Sequence, residues 1–129
     1  MNKAPEIPLG VILQSVLINA EGETSGYRIY RDGRFESKVI NTAWRFGNRL
    51  SATQLGRVVE AIADVNIEQL QSCYHPLHPA TDSNILWVQV DQGGRQFAVE
   101  MVGLCEVPAI QTLSERIVNI FREKNDEQD

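Results

Sequence analysis

The sequence predicts an α+β domain: a two-layer sandwich in which a largely antiparallel sheet of about five to six strands carries helices on one face. Three observations lead there. Residues 85–102 read as two β-branched and aromatic strands folded about Gly93-Gly94, because paired glycines supply the positive φ angles of a tight reversal. A second hairpin is signalled by Asp32-Gly33 between residues 27–31 and 34–40. Two amphipathic stretches, one after Ser51 and one after Pro108, have the spacing of helices that cover an apolar sheet face.

In chain order, residues 1–10 hold two prolines and little pattern and are read as a flexible lead. Residues 11–124 form the domain, and 125–129 an acidic tail. Residues 11–18 are apolar at both parities, which suits a central strand. The apolar run over 9–18 follows only one basic residue, Lys3, and no small-x-small site comes after it. It is therefore read as a strand of a soluble, cytoplasmic chain rather than a signal peptide, and it is too short to span a bilayer.

For the first hairpin, a two-residue turn at Asp32-Gly33 sets Arg31 against Arg34, Tyr30 against Phe35 and Arg28 against Ser37. Tyr30, Phe35 and Val39 then face inward. Arg31, Arg34, Glu36 and Lys38 face outward, with Ile29 as a misfit among them. A longer loop exchanges the two faces, because strand side chains alternate. Trp44 and Phe46, at strand spacing, mark a third short strand ended by Gly47-Asn48.

Ser51-Ala-Thr-Gln54 is a capping box, and Leu55, Val58, Val59 and Ile62 carry the helix to Asp64 or Val65. Asn66-Ile-Glu-Gln69 repeats the signal for a shorter helix to about Tyr74. Pro76 and Pro79 then force a loop over 75–83. In the central hairpin, Leu86, Val88 and Val90 share a face, as do Phe97, Val99 and Met101. Pro108 opens the last helix, whose apolar stripe is Ile110, Leu113, Ile117, Ile120 and Phe121.

Composition bounds the function. The chain has 129 residues, 43% apolar and 22% charged, an ordinary globular balance for one domain. Its net charge is −5, yet residues 28–57 hold seven basic side chains against two acids. That local +5 leaves −10 for the rest, an asymmetry that can mark a surface for an anionic partner. Single-stranded nucleic acid could use such a segment with Tyr27, Tyr30, Trp44 and Phe46. The aromatics are assigned mostly to the core face, however, and the acidic remainder repels a polyanion. The two cysteines, Cys73 and Cys105, are read as reduced thiols.

Catalytic patterns are sparse. His75, His78 and Asp82 could ligate a metal, though H-x-x-H in a proline-rich loop lacks rigid support. No cofactor is therefore expected. Cys73 near both histidines could form a thiolate–imidazole pair, but no oxyanion-forming signature accompanies it. Ser51 and Ser114 are better explained as a cap and a helix-face residue. Glu100 and Glu106 have no carboxylate partner at an interpretable spacing. Gly93-Gly94 precedes no helix, so it fails the context of a nucleotide loop.

The order of elements carries a resemblance over residues 11–121. It comprises the first strand and hairpin, Leu50-Ser51 opening a helix through Leu55, and a loop ending in Asp82. Gly93-Gly94, Pro108 and a Leu113-containing last helix complete it. This resembles small bacterial α/β domains and is similar in order to emfourin-like inhibitors of metalloproteases. Where those inhibitors begin with a Gly-Gly-Phe type turn, this chain has Gly26-Tyr27, and no inhibitory residue carries over. The resemblance implies a protease inhibitor as an alternative.

The reading that results is a non-catalytic module that binds a protein partner. Its candidate contacts are Arg31, Arg34 and Lys38 on the hairpin and His75, His78 and Asp82 on the loop. A small metal-dependent enzyme built on that loop is the other alternative. No membrane partner is expected, and an exposed edge strand leaves room for a homodimer.

Overall fold

The computed structural model describes residues 4–74, 84–103, 105 and 107–122. Seven strands form one sheet: β1 (Val11–Ile18), β2 (Thr24–Tyr30), β3 (Arg34–Lys38), β4 (Arg45–Arg49), β5 (Cys73–Tyr74), β6 (Ile85–Gln92) and β7 (Arg95–Val102). Two helices, α1 (Ala52–Asp64) and α2 (Pro108–Arg122), complete the fold. The strand order is β4-β3-β2-β1-β6-β7-β5. Every pairing is antiparallel except β5 with β7. The class is therefore α+β as expected, with a mixed sheet and more strands than the five to six anticipated. No described helix is long and apolar enough to cross a membrane.

β1 sits between β2 and β6, which explains its apolar residues at both parities. Both helices cover the same sheet face. Val58, Ala61 and Ile62 of α1 and Ile110, Leu113, Ile117 and Ile120 of α2 join Leu13, Ile29, Val88, Val90, Val99 and Met101 in one buried cluster. The strand parities assigned to the central hairpin hold, with Leu86 and Phe97 packed at its margin. The capping box at Ser51 forms reciprocally. Gln54 does more than cap, because its Nε2 also donates to the Ile120 carbonyl at 3.2 Å and ties α1 to α2.

Three expectations about individual elements are corrected. The first hairpin pairs Ile29 with Phe35 and Arg28 with Glu36, one residue away from the register expected. The turn is a three-residue loop. Gly33 has φ +94 and donates to the Tyr30 carbonyl, the left-handed third position that such a loop requires. The slip exchanges the faces of β2 alone, since Phe35 stays on the helix side and Arg34 and Glu36 on the other, as expected. Ile29 is 0% exposed in the core, and Tyr30 turns away from the helices beside Arg28 and Glu36. The misfit isoleucine was the mark of the longer loop.

The second correction concerns residues 66–74. Only Ile67–Gln69 make a 3-10 turn. Cys73 and Tyr74 then pair in parallel with Glu100 and Met101, so tertiary pairing overrides the local helix signal. The expected stop at Gly47-Asn48 also falls inside β4, which continues to Arg49.

Opposite the helices, the sheet's far face is partly closed by residues 4–8. Gln14 and Gln89, both buried, share a hydrogen bond of 3.0 Å. Their amides also donate to the Glu6 and Pro5 carbonyls at 3.0 and 2.7 Å.

Candidate functional site

The register of the first hairpin builds a layer of alternating rings and cations on the far face. Arg28 donates from Nε to Glu36 Oε1 at 2.7 Å, and the Tyr30 hydroxyl donates to the same oxygen at 2.6 Å. The Arg28 guanidinium lies 4.0 Å from the Trp44 ring centre, and that of Arg34 lies 4.0 Å from the Tyr30 ring centre. Cation–ring contacts and a carboxylate shared by two donors hold these side chains in one arrangement.

Burial alone would raise the Glu36 pKa. The hydrogen bonds from Tyr30 and Arg28, with the charges of Arg28 and Arg34, outweigh it and hold the carboxyl below its ordinary value. Tyr30 is pushed upward by desolvation first, and then by its bond to Glu36.

Across the sheet, Tyr27 points to the helices. Its ring meets Phe35 and Phe121 at 6.0 and 6.3 Å, and Phe35 meets Phe121 at 4.8 Å. Burial pushes the Tyr27 phenol up to about 12. The aromatics of the basic segment therefore divide between faces, where most were assigned to the core.

The basic residues are largely engaged. Arg34 pairs with Asp32 at 3.0 Å, and Arg49 approaches the same carboxylate at 3.9 Å while donating to the Asp32 carbonyl at 2.7 Å. The Arg34 amide donates to Asp32 Oδ1 at 3.0 Å, and this bond first, then the Arg34 side chain and the charges of Arg34 and Arg49, hold the Asp32 carboxyl below its ordinary range. Lys38 donates to the Thr24 carbonyl at 2.8 Å. Arg31 leaves this group and turns to Asp91 at 3.6 Å. There it lines a cleft of about 350 Å³ with Ile12, Val59, Ile62 and Gln92. Arg34 and Lys38 thus belong to one strand, and Arg31 belongs to a separate feature. His75, His78 and Asp82 lie outside the described residues. Among the described residues, no group of three His, Cys, Asp or Glu side chains could hold a metal ion.

Cys73 stands on β5, not on the short helix expected for it. A side-chain hydrogen bond with Glu100 comes first among the causes that raise its pKa. A thiol held protonated is a poor nucleophile at neutral pH. Cys73 and Cys105 are both free.

Sequence reasoning missed the edge next to this layer. β4 ends the sheet, and Phe46 on it is 61% exposed, close in sequence to Val39 at 64% and Ile40 at 42%. Among the described residues Arg45 has no ion partner. The available signal was Trp44-Arg45-Phe46 itself, two aromatics at strand spacing with no apolar partner strand beyond them. Comparison of the sequence with protein families and with curated proteins finds no match.

Proposed function

We propose that this chain is a non-catalytic protein-binding module, and that its contact surface is the β3–β4 end of the sheet. One observation carries the reading: the ring-and-cation layer ends at an open strand that leaves a phenylalanine in water between two arginines in the sequence. Scattered exposed apolar residues need no explanation, but an apolar group at a sheet edge, rimmed by charge, is the composition of a contact site. The raised Cys73 thiol and the mutual pairing of Arg28, Glu36, Asp32 and Arg34 also favour a structural use of these groups over acid–base or nucleophilic chemistry.

The test is site-specific photo-crosslinking in host extract. A photoreactive phenylalanine analogue at position 46 should give one dominant protein adduct. The same group at Val118, exposed on α2, should give none. Equal adducts from both positions, or none from either, would remove the proposal.

A further inference from the structure

We infer that β4 accepts an added strand, and that the strand it accepts is an extended acidic segment of a partner protein. This rests on the protein-binding reading above and supplies its mode and chemistry. The other end of the sheet, β5, is only two residues long. β4 has five, four of them exposed, and among the described residues no strand pairs with its outer side. An added strand takes up such unpaired N–H and C=O groups, and side-chain contacts then select it.

The edge is guarded in a selective way. Phe35 of β3 faces two β4 residues, Gly47 and Asn48, across a register shift. Such a bulge, with arginines beside it, discourages indiscriminate pairing. A second copy is disfavoured by geometry. A symmetric strand pair must run antiparallel, so full overlap about Gly47 gathers Arg45 and Arg49 of both copies along one seam with no acid on β4 to offset them, and like charges brought together repel. An acidic strand turns both positions into attraction. Arg45 is unengaged among the described residues, and Arg49 shares Asp32 with Arg34, so positive charge remains for the newcomer. Phe46, between them, offers apolar contact to an aliphatic side chain of that strand.

The probe is a fluorescent synthetic peptide of about eight residues, the length of an ordinary strand, alternating glutamate with valine. Fluorescence anisotropy at low salt should show binding that weakens as salt rises. The double variant R45E/R49E, with unfolding checked independently, should lose roughly tenfold, as two exposed charge pairs made repulsive would give. A lysine–valine peptide should recover it. Methylating the backbone nitrogens along one edge of the peptide should abolish binding, and methylating the other edge should not. Equal binding of both methylated peptides, equal binding of the lysine peptide to the unaltered protein, or a dimer that excludes the peptide would each overturn the inference. If position 46 still crosslinks a partner while methylation has no effect, strand addition alone fails. If neither responds, the protein-binding reading falls with it.

Discussion

Replacing Ile29 by alanine separates the two registers of the first hairpin. Ile29 is 0% exposed, faces Leu13 on β1 and Phe35 on β3, and lies in the cluster beneath the helices. The change removes three carbons, so at ~0.8 kcal/mol per buried CH2 the lost transfer free energy is about 2.4 kcal/mol. Incomplete collapse of the space left behind adds to this, for about 3–4 kcal/mol in all, within the usual range for such truncations. That is a large share of the roughly 5–15 kcal/mol that holds a domain together. Urea unfolding followed by far-ultraviolet circular dichroism should show the midpoint falling sharply with an unchanged slope. In the two-residue-turn register Ile29 would face solvent, and the same change would move stability by no more than about 0.5 kcal/mol. A loss below about 1 kcal/mol would therefore refute the placement of Ile29 in the core, and with it the far-face layer of Arg28, Tyr30 and Glu36.

Three further outcomes follow from the same contacts. Glu36→Gln should cost about 1–2 kcal/mol at neutral pH through its charge-assisted bonds. Because the folded-state pKa is depressed, that difference is fully present above the unfolded value and is lost as pH falls through the lower folded-state value, so unfolding curves of the two proteins should converge in acid. Gln54→Ala should cost about 2 kcal/mol, more than a lost cap alone, because the Ile120 carbonyl loses its donor. Gly47→Ala places a Cβ 2.8 Å from the Phe35 ring. It should destabilise by about 1–2 kcal/mol, and combining it with Phe35→Leu should cost less than the two changes summed.

Much of the fold was legible because long periodic segments leave little ambiguity. The parity of Leu86, Val88 and Val90, the mixed faces of residues 11–18 and the stripes of both helices all placed their elements correctly. The hairpin slipped because Asp-Gly serves two loops, a two-residue turn and a three-residue loop with glycine in the left-handed position. Only Ile29, apolar on a supposedly wet face, told them apart. Residues 73–74 carry no pattern of their own, and their strand exists because Glu100 and Met101 offer an edge. The Gln14–Gln89 bond and its cover by residues 4–8 join positions far apart in the chain, which local periodicity does not reach. For the candidate site, Arg34 was located on its strand and Arg31 near the turn. The exposure of Phe46 depended on where β4 falls in the sheet, and composition alone does not order strands.

Backbone amide exchange along β4, with and without the glutamate–valine peptide, tests the open edge most directly. Amides turned toward β3, like that of Leu50 just beyond β4, which is bonded to the Gly33 carbonyl just before β3, should exchange slowly in the free protein. Their outward neighbours should exchange fast, and should slow once the peptide is added. Uniform protection along residues 45–49 without peptide, or outward amides indifferent to it, would contradict the assignment of this edge as the docking site.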